Sequence, residues 1–167
     1  MNSPSHHQFN LFYYPFSYDE LSPFRATGLE RSAALREDIK WMTEHDNTLV
    51  IPECSSSGKE YAKFLSTIAA ESIPKFICHY YNHYFAHTAG GRMIGNKMAE
   101  KLLSGKLLKF YQWEGDVKIL LDETRKNIDK MAKTWSDTQK TACLEETMAC
   151  FKYGGSLMSS LKEPGSH

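Results

Sequence analysis

The chain has 167 residues, with 20 basic and 20 acidic side chains and a formal net charge of zero. This length suits one packed domain, and a hydrophobic content of 41% argues against a disordered protein. A neutral balance excludes the usual electrostatic signature of nucleic-acid or membrane-surface binding. No apolar run approaches the roughly 20 residues of a membrane-spanning helix, and residues 1–10 resemble neither a signal peptide nor a transit peptide.

The first 24 residues are aromatic but contain Pro4, Pro15 and Pro23. We predict that residues 1–24 form an irregular arm over the core, that residues 25–161 form a helical domain, and that residues 162–167 are a tail. Patterns of the form S/T-x-x-E/Q at residues 27–30, 57–60 and 136–139 predict three helix starts by capping boxes. The helices that follow are predicted to end near His45, Ala70 and Leu161.

Two more helices are predicted between these three. Pro74 suits the first turn of a helix, because the N–H that it lacks has no partner there, and Gly105 is a suitable stop. Residues 113–133 carry apolar side chains at helical spacing. Since no alternating run is long enough to build a sheet, the sequence predicts an all-α domain of about five helices.

The four cysteines, Cys54, Cys78, Cys143 and Cys150, include no CxxC pair. This scatter is typical of reduced thiols in a cytosol-like compartment. Cys143 and Cys150 lie two helical turns apart, so we predict that they share a buried face as small hydrophobic side chains. A redox or metal-binding role is the alternative.

His79, His83 and His87 recur every four residues and therefore lie along one helical stripe. Such a stripe can chelate zinc, but no acidic residue accompanies it in the HExxH manner. The alternative is that these imidazoles are exposed or hydrogen-bonded in the core.

Gly90 and Gly91 follow His87 by three and four residues, and Gly95 follows one turn later. Each glycine costs a helix about 1 kcal/mol relative to alanine, so we predict that the helix bends here. One explanation is close helix–helix packing. The other is a backbone that contacts a flat ligand with no side chain in between, which would leave His87 positioned to hydrogen-bond to that ligand.

The segment of residues 79–101, above all the run YFAHTAGGRMIG at 84–95, closely resembles the distal helix of plant and plastid-type haem oxygenases. The likeness extends to TGLER at 27–31, IPE at 51–53, FYQWEG at 110–115, CLEET at 143–147 and FKY at 151–153, and it covers roughly residues 18–161. It implies a multi-helical bundle in which haem lies between a proximal helix and a glycine-kinked distal helix. It also implies cleavage of haem to biliverdin, CO and ferrous iron, with haem as substrate and cofactor and reduced ferredoxin as electron donor.

The resemblance assigns catalytic roles to His87, Gly90 and Gly91, with His87 holding water on the distal side and the glycines closing over the haem face. It further implies four haem-binding residues, near the propionates or lining the pocket: Tyr81, Arg125, its alternative Lys126, and Phe151. It also implies the plastid stroma as location, although no transit segment is visible and the cytoplasm is the alternative.

Basic side chains gather along the predicted distal helix and its exit, at Arg92, Lys97, Lys101, Lys106 and Lys109. Taken alone, this cluster indicates a solvated helix face. With the resemblance, it is also a candidate docking surface for an acidic ferredoxin.

In the resembling family, a proximal His on the first helix, upstream of the TGLER motif, holds the iron. Here 26 residues precede Thr27, and the histidines among them, His6 and His7, lie in a polar segment without helical pattern. We therefore assign no metal ligand and expect the proximal helix to be missing. The chain is then either a truncated form of an active oxygenase or a non-catalytic relative that acts as a haem-binding or protein-interaction module.

Overall fold

The computed structural model describes residues 19–159. These residues form helices without any β-strand, which confirms the predicted all-α class. The α-helices are α1 (Ser32–His45), α2 (Ser56–Glu71), α3 (Ile73–Ala86), α4 (Arg92–Leu102), α5 (Val117–Ala132), α6 (Asp137–Glu145) and α7 (Thr147–Ser159). None of the helices in the described range combines the length and apolar character needed to cross a bilayer.

Short 3-10 helices at Asp19–Phe24 and Lys109–Tyr111 and a π-type turn at His87–Gly91 complete the elements of the described residues. The first lies at the end of the predicted N-terminal arm and buries Leu21 and Phe24. The rest of that arm, including His6 and His7, and the predicted tail at 162–167 lie outside the described residues.

The chain divides into two compact units. Within the described range, the first unit contains residues 19–52 and 84–131, and the second contains residues 53–83 and 132–159. Helix α3 belongs to the second unit up to His83 and to the first unit from Tyr84.

A compact turn leads into α1 in the first unit. Glu30 accepts hydrogen bonds from the backbone N–H groups of Thr27 and Gly28, both at 2.8 Å, as the capping pattern predicts for its carboxylate. However, Gly28 has a φ of +81°, in the left-handed region, and a helix cannot pass through it in right-handed geometry. Helix α1 therefore begins at Ser32, after the capping pattern rather than within it.

Helix α4 ends one turn before Gly105, the predicted stop. The N–H groups of Leu103 and Gly105 both donate to the carbonyl of Ala99, at 3.0 and 2.9 Å, and Gly105 adopts a φ of +84°. This pattern closes the last helical turn in the way that left-handed C-terminal glycines do.

The core of the second unit is built where α2 meets α7. The Tyr153 ring stacks on the rings of Tyr61 and Phe64, with centroids 4.8 and 4.6 Å apart. Leu65, Ile68, Phe76 and Ile77 are buried around them. Helix α2 is capped by Ser55, whose hydroxyl accepts from the N–H of Gly58 at 3.1 Å, two residues earlier than the predicted cap at Ser57.

The capping box at Ser136–Gln139 is confirmed, with both reciprocal hydrogen bonds in place. The helix that it opens was predicted to continue unbroken to about Leu161, which is wrong, because α6 ends at Glu145 and α7 begins at Thr147. Glu146, between them, is buried and directs its carboxylate to His79 on α3. This long-range contact leaves no local mark in the sequence.

Candidate functional site

A π-type turn interrupts the helical path between α3 and α4. It spans His87–Gly91, and the N–H of Arg92 donates to the carbonyl of His87, five residues earlier. Two adjacent glycines, Gly90 and Gly91, have little helical propensity and so favour a local departure from α-helical geometry. The departure from α-helical geometry thus lies at the two glycines where a bend was predicted. The bend itself stays a prediction.

The imidazole of His87 lies among three aromatic rings of the segment that follows α4. Its ring centroid is 4.5 Å from that of Phe110, 5.5 Å from Tyr111 and 5.4 Å from Trp113. The Nε2 atom donates a hydrogen bond to the carbonyl oxygen of Phe110, 3.2 Å away. Because a carbonyl oxygen only accepts, Nε2 carries the proton in this arrangement.

Burial lowers the pKa of His87 below its usual value, an effect that the Phe110 carbonyl opposes and the positive charge of Arg31 reinforces. The neutral imidazole is therefore favoured, with its proton on Nε2 and the lone pair on Nδ1. The imidazole of His87 thus has a hydrogen-bond donor at Nε2 and an acceptor at Nδ1.

The residue whose carbonyl orients His87 is itself held by Asp38 of α1. One carboxylate oxygen accepts from the N–H of Lys109 at 2.8 Å and the other from the N–H of Phe110 at 2.7 Å. Asp38 is buried, with 5% of its surface exposed. A buried carboxylate with two backbone donors is a strong anchor, so Asp38 holds the backbone immediately before the Phe110 carbonyl.

Arg31 fastens the other end of the same segment. Its Nε donates to the carbonyl of Leu29 at 3.2 Å, and its Nη1 donates to the carbonyl of Gln112. The guanidinium also lies over the Trp113 ring, with Cζ 4.6 Å from the ring centroid. Arg31 thereby joins the turn before α1 to the aromatic segment beside His87.

The three glycines around this site have different surroundings. A Cβ atom added to Gly91 would lie 2.6 Å from Nδ1 of His87, and one added to Gly95 would lie 2.5 Å from the Tyr111 ring. A Cβ atom on Gly90 would meet nothing within 4 Å, and Gly90 is exposed. Gly91 therefore leaves room for the His87 ring of its own turn rather than for another helix, and Gly95 leaves room for the Tyr111 ring, whereas the backbone of Gly90 is open.

These features fit a flat macrocycle such as haem. Gly90 presents backbone with open space above it, and the imidazole of His87, oriented by the Phe110 carbonyl, stands three residues before it. The indole Nε1–H of Trp113 is buried and has no hydrogen-bond acceptor within the part of the chain that is described. The site thus combines access for a planar group with donor and acceptor atoms beside it.

The remaining predicted site residues are distributed over both units. In the first unit, Arg125 pairs with Asp122 at 2.6 Å and lies over the Phe85 ring, with Cζ 4.6 Å from the centroid, while Lys126 is exposed. In the second unit, Tyr81 and Phe151 expose 40% and 69% of their surface. Their assignment as haem-binding residues stays a prediction.

The histidine stripe does not form a metal site in the described residues. His79 is buried, with Nδ1 2.7 Å from the Tyr61 hydroxyl and Nε2 3.1 Å from Oε1 of Glu146, whose other oxygen is 3.3 Å from Nζ of Lys75. Between residues 19 and 159, no three His, Cys, Asp or Glu side chains are grouped to hold a metal ion. His79 is a core histidine, as the alternative interpretation of the stripe proposed.

Sequence reasoning missed the residues that orient His87, namely Asp38, Arg31 and Phe110. Asp38 gave one signal, since it lies in the apolar stripe of α1, three residues after Leu35 and four before Met42. An acidic side chain in such a stripe needs a buried partner. Its partners, the N–H groups of Lys109 and Phe110, lie 71 and 72 residues further along the sequence.

Comparisons with known proteins show the family of this chain. The family model described as "Heme oxygenase" matches residues 17–160. The chain is 47% identical over 135 residues to "Heme oxygenase 1, chloroplastic" of Oryza sativa subsp. japonica, covering 81% of this chain and 46% of that protein. It is 43% identical over 142 residues to "Heme oxygenase 1, chloroplastic" of Arabidopsis thaliana, covering 85% of this chain and 50% of that protein.

A third relative differs from these two in its name. "Probable inactive heme oxygenase 2, chloroplastic" of Arabidopsis thaliana is 45% identical over 135 residues, covering 81% of this chain and 44% of that protein. The chain spans about half the length of the curated relatives that it matches. Because the family model matches residues 17–160, most of the sequence, the chain belongs to the haem oxygenase family.

Proposed function

We propose that this chain binds haem against the His87–Gly91 turn and takes part in the oxidative cleavage of haem to biliverdin, CO and ferrous iron. The observation that carries the proposal is the open backbone of Gly90 beside a neutral, firmly oriented His87. Haem, when bound, supplies both the ring that is oxidised and the iron that activates dioxygen.

His87 contributes a positioned acceptor in this proposal. Its Nε2–H is committed to Phe110, so Nδ1 is the atom that receives a hydrogen from water on the distal side. A water molecule held in this way directs its second hydrogen toward the bound haem. A neutral imidazole can thereby assist proton delivery without itself becoming charged. Gly90 contributes because it has no side chain: any side chain at this position would stand between the backbone and the macrocycle.

Arg125, with Lys126 as the alternative, is proposed to pair with the haem propionates, which are anionic and favour guanidinium or ammonium partners. The ion pair of Arg125 with Asp122 is about half exposed on both sides, with 47% and 48% of the side chains accessible. An exposed pair of this kind contributes about 0–1 kcal/mol, so Arg125 can exchange Asp122 for a propionate at little cost. Tyr81 and Phe151 are proposed contacts of the same ligand.

Haemin titration followed by optical spectroscopy tests the binding step. The proposal assigns no axial ligand to the iron, so imidazole is supplied in parallel samples. We expect saturable binding that the Gly90→Leu variant weakens about tenfold or more, equivalent to about 1.4 kcal/mol. Ala33→Leu is the matched control, because Ala33 is another small, exposed helical residue of the first unit. Absence of saturable binding with and without imidazole would refute the proposal.

A second candidate function is haem binding without turnover, which a specific observation favours. A relative at 45% identity is named probable inactive, close to the 47% of a relative that is not. Supplying reduced ferredoxin to the haemin complex separates the two functions. Formation of a bilin absorption band supports catalysis, whereas a stable haemin spectrum over many minutes supports the binding protein.

Reduced ferredoxin is the proposed electron donor, and the basic residues of α4 and its exit are the proposed contact. Not all of them are equally available, since Lys109 pairs with Glu37 and Nζ of Lys106 lies 5.4 Å from the Trp41 ring centroid. Lys97 and Lys101 are exposed. We expect reduction of the haemin complex to slow as ionic strength rises, because salt screens attraction between exposed charges. A rate indifferent to salt would argue against this contact.

A plastid location is proposed from the chloroplastic relatives. Imaging of the complete gene product fused to a fluorescent protein tests it, and exclusion of the fusion from plastids would contradict it.

A further inference from the structure

Three cysteine thiols of the second unit meet where α3 packs beside α6 and α7. We call Cys78, Cys143 and Cys150 the thiol cluster. The Sγ atoms of Cys78 and Cys150 are 3.7 Å apart, and the Cys143 thiol also hydrogen-bonds to Cys78. Cys78 and Cys150 are buried, Cys143 is half-buried, and all three are reduced. The predicted pairing of Cys143 with Cys150 on one face was thus incomplete, because Cys78 lies at the centre.

Hydrogen-bond donors converge on the Cys78 sulfur. The amide Nδ2 of Asn82, one helical turn later, donates to it at 3.5 Å, and the hydroxyl oxygen of Thr147 lies 3.5 Å away. The amide nitrogen of Asn82 can only donate a hydrogen bond, so the Cys78 sulfur is the acceptor. An environment of this kind stabilises a thiolate more than a thiol.

The thiols of Cys143 and Cys150, together with the Thr147 hydroxyl and the nearby charge of His79, hold the pKa of Cys78 well below its usual range. Hydrogen bonding to Cys78 raises the pKa values of Cys143 and Cys150 in turn. The cluster therefore contains one nucleophilic sulfur and neighbouring thiols that stay protonated.

We propose that Cys78 is a peroxide-reactive thiolate and that Cys150 is its resolving partner, so that oxidation joins α3 to α7 by a disulfide bond. The choice of Cys150 rests on the 3.7 Å separation of the two sulfur atoms. A disulfide bond is about 2.05 Å long, so the sulfur atoms need to approach by about 1.7 Å.

The chemistry balances with hydrogen peroxide as the oxidant. The Cys78 thiolate attacks one peroxide oxygen, the O–O bond breaks, and hydroxide leaves, so that Cys78 becomes a sulfenic acid. Loss of the negative charge on Cys78 removes the interaction that keeps Cys150 protonated, and hydroxide takes its proton to give water. The Cys150 thiolate then attacks the Cys78 sulfur and displaces hydroxide, forming the S–S bond. The proton that Cys78 released on ionising converts this second hydroxide to water. Counted from the two protonated thiols, one peroxide thus yields one disulfide and two waters.

Peptide mass mapping of the full chain after peroxide treatment, under non-reducing conditions and without haem, tests the proposal. We expect a cross-linked peptide pair containing Cys78 and Cys150 that has lost two hydrogen atoms and that a reductant separates again. We also expect Cys78 to be oxidised at least about tenfold faster than Cys54, as a thiolate reacts while a thiol does not. Because haem is absent, the outcome is independent of the proposed function.

Three variants sharpen the test. Cys150→Ser should stop at a Cys78 sulfenic acid that dimedone traps, whereas Cys54→Ser and Cys143→Ser should form the same disulfide as the unaltered chain. If the Cys150 variant does not fold, the peptide map of the unaltered chain decides by itself. A disulfide between Cys78 and Cys143, or a Cys78 that reacts no faster than Cys54, would overturn the proposal.

Discussion

The side chain of His87 is oriented by the backbone of Phe110, because Nε2 donates to that carbonyl oxygen at 3.2 Å. The N–H of the same residue, Phe110, donates in turn to Asp38 at 2.7 Å. The orientation of His87 therefore depends on a chain of contacts that starts on α1. Such outer contacts commonly set the orientation and proton position of a functional imidazole.

Replacing Asp38 should destabilise the first unit. Asp38→Asn keeps the shape of the side chain but turns an amide N–H₂ toward one of the two backbone donors. We expect a loss of about 1–3 kcal/mol, the usual cost of leaving a buried donor unpaired, measured by urea denaturation. The control is Glu37→Gln on the preceding residue, whose ion pair with Lys109 is exposed to solvent and should contribute much less to stability. Equal losses in both variants would contradict the role assigned to Asp38.

Alanine at the two adjacent glycines should have opposite effects on the free energy of unfolding. Gly91→Ala places a methyl group 2.6 Å from Nδ1 of His87, and we expect overpacking to cost about 1–3 kcal/mol. Gly90→Ala meets open space and should stabilise the ligand-free protein by up to about 1 kcal/mol through helix propensity. Thermal denaturation of both variants checks this, and a stabilised Gly91→Ala would refute the contact with His87.

The pKa of His87 predicts how its contribution to stability depends on pH. Burial lowers this pKa in the folded protein below the ordinary value of 6.5, so the unfolded chain takes up the proton first as pH falls. Stability from His87 is therefore complete above pH 6.5 and decreases as pH falls from 6.5 toward the lower, folded value. An NMR titration of the imidazole should give a midpoint below 6.5. A midpoint at or above 6.5 would show that the folded protein favours the charged form.

Glu146 should stabilise the second unit through its hydrogen bond with the buried His79. Glu146→Ala removes the acceptor for Nε2 of His79, which is 3.1 Å away on a residue that is 1% exposed. We expect a loss of about 1–3 kcal/mol in chemical denaturation. Glu145→Ala provides the control, because Glu145 is exposed and surface substitutions usually change stability by less than about 0.5 kcal/mol. Similar values for the two variants would mean that the contact with His79 contributes nothing.

Local sequence was sufficient for the helical class and for several helix ends. The capping box at Ser136 formed as predicted because all of its partners lie within four residues. The pattern at Thr27 misplaced the start of α1, since it does not reveal that Gly28 adopts a left-handed conformation. Among three consecutive serines, the pattern also selected Ser57 over Ser55, the residue that caps α2.

The candidate site was only partly visible in the sequence for a related reason. His87 and its glycines stand out because they are close together in the chain. Asp38 and Phe110 are separated by 72 residues, and no spacing rule connects an acidic residue of one helix with a backbone N–H group beyond another. The same holds for the thiol cluster, in which Cys78 and Cys150 are 72 residues apart.

The π-type turn at His87–Gly91 also constrains the number of residues in this segment. A turn closed five residues back contains one residue more than an α-helical turn, and one residue corresponds to about 100° of rotation around the axis. Deleting a single position such as Ala89 would allow a regular helix but would rotate all of α4 by that angle. Gly95 would then leave the Tyr111 ring that it accommodates, and a neighbour with a side chain would take its place. The length of this segment is therefore as restricted as its composition, and a one-residue deletion here should be less tolerated than most single substitutions.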